Sequence, residues 1–241
     1  IKVDEPKWED RDRFILSKGH AGIAYAPVLC DLGFNDKEQL KTFNLSGSKM
    51  GMHLDSNKVV GVDASTGSLG HGMSIAVGTA LAARVLGKDY ITYVVLGDGE
   101  CDEGSNWEAA MSASHYKLKN MISFVDRNKC MIDGRTEDVM KLEPFADKWR
   151  AFGFIVKEID GNNIAELCDA IDFALANVND PESDKPVMII CDTLKGCGID
   201  FIEDNYLWHY GAFDDEKYAK AKEALKNSYA KRVARAEKEG K

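Results

Sequence analysis

The chain has 241 residues, of which 44% are hydrophobic and 29% charged, with a formal net charge of −9. This length allows one or two globular domains, while the acidic balance argues against a broad nucleic-acid-binding surface. No apolar run of about 18 residues suggests a membrane-spanning helix, and no secretory leader is visible. Six cysteines without a CxxC pair predict free thiols in a reducing cytoplasm.

The first predicted element follows a glycine-rich loop. Residues 67–72 (GSLGHG) lead into an apolar, alanine-rich segment over Met73–Leu86, which we predict to be a buried helix. The stretch before this loop, 47–63, reads as irregular. Three glycines within six residues before a helix favour a loop that faces a ligand.

From residue 90 onward, strand and helix patterns alternate. Strands are predicted at 90–96, 121–125, 154–159 and 187–191, and helices from Ser105, over 144–152 and over 164–178. Ser105 and Glu108 have capping-box spacing, so we expect Ser105 to cap its helix. This alternation is typical of an α/β protein, a parallel sheet flanked by helices on both faces. Charged residues from about 214 to 241 predict a surface helix at the end of a single domain over 1–241.

Polar residues follow two neighbouring predicted strands. Gly97-Asp98-Gly99-Glu100 follows the first of them, and Asp126-Arg127-Asn128 follows the second. In open parallel sheets, ligands bind at the carboxyl ends of the strands. The oxygens of Asp98 and Asn128 suit Mg²⁺, and the glycines beside Asp98 let backbone N–H groups approach a phosphate. The sequence therefore predicts a site for a metal-bridged diphosphate.

A GDG phrase followed by Asn after this interval resembles the motif of thiamine-diphosphate enzymes. The surrounding phrases resemble transketolase, especially the N-terminal, diphosphate-binding subunit of split transketolases: RDRFILSKGHA (11–21), STGSLGHG (65–72), GDGECDEGSNWEAAMSASHYKLKN (97–120), VDRNKCMIDGRTEDV (125–139) and KWRAFGF (148–154). The resemblance runs from about residue 8 to 209. It implies a thiamine-diphosphate-binding fold and an enzyme that moves a two-carbon ketol unit from a ketose or ketose phosphate donor to an aldose, with thiamine diphosphate as the electron sink.

The resemblance also implies roles for individual residues. Asp98, Asn128 and the carbonyl of Cys130 match ligands of Mg²⁺, or of another divalent cation such as Ca²⁺ or Mn²⁺. The residues that match cofactor contacts are His20, Gly70, Gly99, Glu100, Asn128, Ile132, Lys195 and His209. Among them, Ile132 matches a residue packed against the thiazolium ring.

Five residues match catalytic positions of the family: His20, His53, His71, His209 and Glu103. Glu103 matches a buried glutamate that links two active sites through carboxylates and water. Three positions depart from the family pattern, one of them being Asp102, which replaces a common glutamine before Glu103. His53 lies in a Gly-Met-His-Leu phrase instead of glycine-histidine-proline, and Cys197 replaces a lysine in the loop that begins at Lys195.

Relatives carry two parts that this sequence lacks. One is a segment before residue 8 with another active-site histidine, and the other is a pyrimidine-binding domain whose glutamate activates the cofactor. We therefore expect a pyrimidine-binding partner chain in a heterotetramer with two copies of each chain, acting on a sugar phosphate or a modified sugar.

Two alternatives stay open at this point. One is a subunit of another thiamine-diphosphate enzyme, similar to deoxyxylulose-phosphate synthase. The other is a non-catalytic assembly subunit, which the presence of Asp98, Asn128 and Glu103 disfavours. A nucleotide-binding protein is disfavoured because neither GxxxxGK[ST] nor a post-strand GxGxxG occurs.

Two cysteines follow neighbouring strand ends. We hypothesise that Cys101 and Cys130 lie near the cofactor and make the enzyme sensitive to oxidation. The alternative is that both are inert small residues.

Overall fold

A parallel sheet of five strands organises the chain in the computed structural model, which describes residues 2–239. The strands are β1 Arg13–Leu16, β2 Thr92–Gly97, β3 Met121–Arg127, β4 Ile155–Asp160 and β5 Val187–Asp192, in the order β1-β2-β3-β5-β4. The helices are α1 Gly22–Asp31, α2 His71–Val85, α3 Gly104–His115, α4 Thr136–Val139, α5 Phe145–Ala151, α6 Ile164–Asn179 and α7 Asp215–Glu239. The predicted α/β fold is confirmed.

Both faces of the sheet are buried, as the near-continuous apolar strands indicate. Leu96 belongs to a core cluster with residues of α2, α3 and α5, including the fully buried Trp149. Ile122 and Ile189 belong to a second cluster with Ala170 and other residues of α6. Because side chains alternate along each strand, the sheet separates these two layers. Helices therefore cover both faces, as predicted.

The first strand and helix were not predicted. β1 has only four residues and pairs with β2 at an edge of the sheet. Helix α1 begins at Gly22 and contains Pro27, two residue types of low helix propensity. It is stabilised by packing: Ala26 and Leu29 lie in a third buried cluster with Met50, Leu54 and Val59. Tertiary contacts thus outweigh poor local propensity here.

The segment at 47–63 contains no helix or strand, which confirms the irregular prediction. It nevertheless has a fixed place, because its Met50, Leu54 and Val59 side chains are buried against α1. This anchoring matters for the site, since the segment carries His53.

Two helix termini differ from their predictions. Helix α3 begins at Gly104, so Ser105 lies inside the first turn and is not the N-cap. Its hydroxyl instead donates to the carbonyl of Gly70 at 3.0 Å, which joins α3 to the loop before α2. Helix α7 runs to Glu239, and the last two residues of the predicted helix, 240–241, lie outside the described residues. No helix within 2–239 is long and apolar enough to cross a membrane.

Candidate active site

The turns after β2 and β3 meet at the carboxyl edge of the sheet. Gly97 and Asp126 are paired in register, so the residues that follow them are neighbours. The Asp98 carboxylate is 1% exposed and accepts the backbone N–H of Gly99 at 2.8 Å and that of Lys129 at 2.6 Å. The backbone N–H of Cys130 binds Oδ1 of Asn128 at 3.0 Å. Consecutive peptide groups therefore hold the two predicted metal-ligand side chains.

The local backbone explains this convergence. Lys129 has a φ of 61°, a left-handed conformation that few non-glycine residues adopt. The Asn128 side chain accepts a hydrogen bond from the backbone two residues further on, which is the local bond that Asn favours in turns. The turn directs its N–H groups toward the two ligand oxygens. Left-handed backbone conformations at non-glycine residues are often found at ligand-binding sites.

Burial raises the pKa of Asp98, although the N–H groups of Gly99 and Lys129 and the guanidinium of Arg127 oppose the shift. Nη1 of Arg127 lies 3.4 Å from the carboxylate, which is too long for a strong hydrogen bond. The ionised carboxylate is therefore incompletely compensated, and a bound cation would stabilise it.

The donor set fits a magnesium-like ion that is shared with a phosphate. Within residues 2–239, no three His, Cys, Asp or Glu side chains are grouped to hold a metal. The chain instead offers a carboxylate, an amide oxygen and, at Cys130, a backbone carbonyl. Mg²⁺ is commonly bound by one or two protein oxygens, with phosphates and water completing its coordination. The ligand roles of Asp98, Asn128 and Cys130 themselves stay predictions.

Asp126 is the centre of a polar network beside Asn128. Its carboxylate accepts from Nζ of Lys18 at 2.5 Å, from Nδ2 of Asn128 at 3.1 Å and from the hydroxyl of Thr193. Burial alone would raise the pKa of Asp126, but Lys18 and these hydrogen bonds outweigh burial and lower it. Sequence reasoning placed Asp126 at a strand end but gave it no role.

His20 and His209 lie side by side, with ring centroids 5.3 Å apart. His20 is in a 3₁₀ turn after β1, and His209 ends the 3₁₀ turn Tyr206–His209. Burial is the largest cause that lowers the pKa of His20, to about 4, and nearby Lys18 and His209 add to it. Burial also lowers the pKa of His209, helped by Lys195. Both imidazoles are therefore neutral near pH 7.

This pocket is electropositive and incompletely satisfied. Burial and the charge of Lys18 lower the pKa of Lys195, which lies close enough to affect both His20 and His209. Nδ1 of His209 is buried and has no hydrogen-bond partner among the described residues. Buried polar atoms are normally hydrogen-bonded, so this nitrogen is left unsatisfied in the chain by itself. Lys18 is paired with Asp126, whereas Lys195 has no ion-pair partner among the described residues, so Lys195 is the cation that can meet an anionic ligand such as a diphosphate.

His53 and His71 line a separate cavity of about 530 Å³ with Ser65, Thr66, Gly67 and Ser68. Both imidazoles are exposed. His53 is near enough to His20 to contribute to its lowered pKa, so the cavity adjoins the His20–His209 pair. The four predicted histidines therefore fall into two pairs in one region of the surface.

Gly70 fixes the entry to α2. Its φ of 85° is left-handed, and a Cβ there would lie 2.7 Å from Cβ of Glu103. Its N–H donates to the Glu100 carboxylate at 3.0 Å. Only glycine lets the loop before α2 lie against the start of α3, so the glycine-rich loop is positioned by close backbone approach.

Glu100 and Glu103 lie close in sequence but in different environments. Glu100 is 2% exposed, and its carboxylate accepts the N–H groups of Gly70 and Gly97, each at 3.0 Å, and the hydroxyl of Ser17. These internal bonds occupy its carboxylate, and the predicted cofactor contact stays a prediction. Glu103 is exposed in the single chain. Its link between two active sites stays a prediction.

Arg127 was missed as a structural hub. It is 5% exposed and binds Glu137, Glu143 and the Thr136 hydroxyl, each at 2.9 Å. It lines a cavity of about 800 Å³ outside the carboxyl ends of β3, β4 and β5. An arginine between Asp126 and Asn128, directly after an apolar strand, was the available signal for a buried ion-pair network.

The remaining predicted residues are placed as follows. Ile132 is 61% exposed in the turn after Cys130, so its side chain is available to a ligand. The thiols of Cys101 and Cys130 are buried, and burial raises the pKa of each. Because the thiolate is the reactive form, these environments favour the inert alternative over sensitivity to oxidation.

Fold and site together define a class of protein. It is a parallel α/β domain that gathers oxygen ligands, two lysines and two neutral histidines at the carboxyl edge of its sheet. A family profile described as "Transketolase, thiamine diphosphate binding domain" matches residues 1–237. The chain belongs to the transketolase family, in its thiamine-diphosphate-binding domain.

Individual relatives agree. The chain is 41% identical to the 6-deoxy-6-sulfo-D-fructose transketolase subunit SqwG of Clostridium sp. (strain MSTE9), over all of this chain and 82% of that protein. It is 39% identical to one subunit of the apulose-4-phosphate transketolase of Phocaeicola vulgatus, over 98% of this chain and 80% of that protein. The crystal structure of Campylobacter jejuni transketolase matches with a TM-score of 0.83 and 32% identity, over 93% of this chain and 35% of that chain. The chain thus spans about a third of that transketolase.

Proposed function

We propose that this chain is the thiamine-diphosphate-binding subunit of a split transketolase. The complete two-chain enzyme transfers a two-carbon ketol unit from a ketose, or ketose phosphate, to an aldose. The observation that carries the proposal is the placement of Asp98 and Asn128 beside the pocket of His20, His209 and Lys195. In this view, residues 1–241 form a single diphosphate-binding domain.

Different residues of the chain have different proposed roles in binding the cofactor. Asp98, Asn128 and the Cys130 carbonyl hold the divalent cation, and Lys195 adds positive charge beside the phosphates. Thiamine diphosphate, when bound, supplies the electron sink of the reaction.

The histidines handle hydrogen bonds and protons. Because their pKa values are lowered, His20 and His209 are neutral at pH 7, and each can donate through one ring nitrogen and accept through the other. His53 and His71 line the adjoining cavity, which supports the proposal that they contact the sugar.

A partner chain with the pyrimidine-binding domain completes the enzyme. Two relatives that match nearly all of this chain are named as transketolase subunits, which supports a split enzyme. Large apolar side chains near the site are also exposed: Ile23 by 66%, Ile132 by 61% and Leu207 by 70%. Such residues suit a surface that another chain covers. We propose a heterotetramer with two copies of each chain.

The names of the relatives suggest several candidate donor substrates. 6-Deoxy-6-sulfofructose and apulose 4-phosphate are named in two of them, so both belong in a donor screen beside xylulose 5-phosphate. The screen also includes pyruvate, which separates a transketolase from an enzyme of the deoxyxylulose-phosphate-synthase type.

The decisive experiment co-purifies the chain with the candidate partner that is encoded beside it. Mg²⁺-dependent thiamine-diphosphate binding is followed by tryptophan fluorescence, and products of each donor–acceptor pair by mass spectrometry. We expect binding and ketol transfer by the complex and no transfer by either chain alone. Efficient transfer by the isolated chain, or no cofactor binding by the complex, would contradict the proposal.

A further inference from the structure

The orientation of the Asn128 amide is determined by its neighbours. On one side, Nδ2 lies 3.1 Å from Oδ2 of Asp126. On the other side, Oδ1 accepts the backbone N–H of Cys130 at 3.0 Å. Reversing the amide would place its oxygen against a carboxylate and its NH₂ group against an N–H donor. Both contacts would become repulsive, so one orientation is strongly preferred.

Asp126 is itself held in place from two other strands. Lys18, which follows β1, contacts Oδ2 at 2.5 Å, and Thr193, which follows β5, donates to Oδ1. The Lys18 side chain is 12% exposed and that of Asp126 is 31% exposed, so this pair is partly shielded from water. The carboxylate thus has little freedom to turn away from Asn128.

The amide oxygen that this network presents is next to Asp98. The adjacent N–H groups of Lys129 and Cys130 bind Oδ2 of Asp98 and Oδ1 of Asn128, respectively. Two oxygens gathered by neighbouring peptide groups form the start of a hard-cation site. An amide nitrogen in the same place would be a donor and could not bind a cation.

We propose that Asp126, held by Lys18 and Thr193, is a positioning residue that fixes the Asn128 amide with its oxygen toward the cation. The inference rests on the proposed function, because it takes Asn128 as a cation ligand. Partners that orient metal ligands typically contribute about 10- to 100-fold to metal affinity.

The test measures Mn²⁺ affinity by electron paramagnetic resonance in the presence of thiamine diphosphate, using the full chain with its partner chain. Asp126→Ala removes the acceptor that orients Asn128. We expect its dissociation constant for Mn²⁺ to rise about 10- to 100-fold. Asp126→Asn keeps the shape but lets either amide orientation occur, and we expect a smaller rise, roughly tenfold.

Thr193→Val removes one of the bonds that hold Asp126 but leaves the Asp126–Asn128 contact in place, so its loss of Mn²⁺ affinity should be smaller than that of Asp126→Asn. Asp169→Asn is the matched control, because it makes the same substitution on the exposed surface of α6, and its Mn²⁺ affinity should stay within about twofold of wild type. The melting temperature of each metal-free variant separates folding from positioning. If Asp126 only joins strands, the Asp126 variants melt earlier but bind Mn²⁺ as wild type does, and that result overturns the inference.

The outcomes also separate the inference from the proposed function. Failure of the wild-type complex to bind Mn²⁺ would overturn both. Wild-type binding that Asp126→Asn leaves unchanged would overturn only the positioning role. Should Asp126→Ala fail to fold, the Asp126→Asn and Asp169→Asn pair still gives this answer.

Discussion

Asp98 shows how a single residue can favour ligand binding over stability. Burial raises its pKa, so the charged form costs stability in the metal-free protein above that pKa. Asp98→Asn removes the buried charge but turns an NH₂ group toward the N–H of Gly99 or Lys129. These effects oppose each other, so we expect the free energy of unfolding of the metal-free chain to change by less than about 1 kcal/mol at pH 7. The same change should weaken Mg²⁺-dependent thiamine-diphosphate binding at least about 100-fold, since it removes a charged ligand. Thermal unfolding and fluorescence titration measure the two effects.

The control for this substitution is Asp147→Asn, on the exposed surface of α5. It removes the same charge from an exposed side chain that pairs with Arg150 and not with a predicted ligand residue, so it should change neither quantity measurably. A metal-free Asp98→Asn protein that unfolds several degrees earlier than wild type would show that the carboxylate stabilises the fold.

His20 predicts a specific pH dependence. Its folded pKa of about 4 lies below the ordinary 6.5, so the folded state prefers the neutral ring. The stability that follows is fully present above pH 6.5 and is lost as the pH falls toward 4. In His20→Gln, the decline in unfolding free energy between pH 7 and 4.5 should be smaller, by on the order of 1 kcal/mol.

Urea unfolding at pH 7, 6, 5 and 4.5 measures that decline. His115→Gln, at the end of α3, is the matched control and should follow the wild-type profile. Identical pH profiles for wild type and His20→Gln would refute the prediction.

Unlike Asp98, Glu100 has a carboxylate that we expect to stabilise the fold of the chain by itself. Its buried carboxylate accepts from Ser17, Gly70 and Gly97, which belong to three separate segments. Glu100→Gln places an NH₂ group among these donors, and we expect a loss of about 2–3 kcal/mol in unfolding free energy. Glu108→Gln, an exposed change in α3, should have almost no effect in the same urea titration.

For individual residues, the sequence predicted which ones follow the strands, but not the burial or the hydrogen-bond partners of each. Asp98 and Asn128 were identified because ligand-binding residues follow strands in open parallel sheets. The burial of Glu100 and the exposure of Glu103 depend on where Ser17 and Gly70 lie in space. Two glutamates three residues apart carry no sequence signal that distinguishes them.

Gly70 before helix α2 and Gly78 within it are two glycines whose substitution by alanine should have opposite effects on stability. Gly70 precedes α2 with a left-handed φ and a blocked Cβ position, whereas Gly78 lies within the helix with open space around it. Gly70→Ala should lower the unfolding free energy by about 1–3 kcal/mol, because of strain and overlap with Glu103. Gly78→Ala should raise it by about 0.5–1 kcal/mol through better helix propensity.

Chemical denaturation of both variants measures these changes, with circular dichroism confirming equal helix content. Equal effects of the two substitutions would show that the conformation of Gly70 is not required.

Long elements could be predicted, and short ones could not. Strands β2 to β5 and helices α2, α5 and α6 lie within two residues of their predicted ends, because their apolar patterns are long and distinct. β1 has only four residues, the first of which is the charged Arg13, and α1 contains Pro27. The capping signal at Ser105 was misleading because its hydroxyl binds Gly70 instead.

For the whole molecule, ligand binding should be visible as stability. A ligand that binds only the folded state adds about 2.7 kcal/mol at 100 times its dissociation constant. For a domain of this size, that corresponds to a rise of roughly 5–10 °C in melting temperature. We expect this rise with thiamine diphosphate and Mg²⁺ in the presence of the partner, and its loss on adding EDTA. A rise that survives EDTA would indicate binding without a cation.

The strand order has a consequence for when the site forms. Lys18 and Asp126 are 108 residues apart in sequence, Ser17 and Glu100 are 83 apart, and Thr193 and Asp126 are 67 apart. Closing such long loops slows folding, because their entropy is lost before the contacts form. During synthesis, all four histidines are present only once the chain has been extended to His209, which comes after every strand of the sheet. Cofactor binding by a newly made chain would therefore report that the entire sheet has assembled.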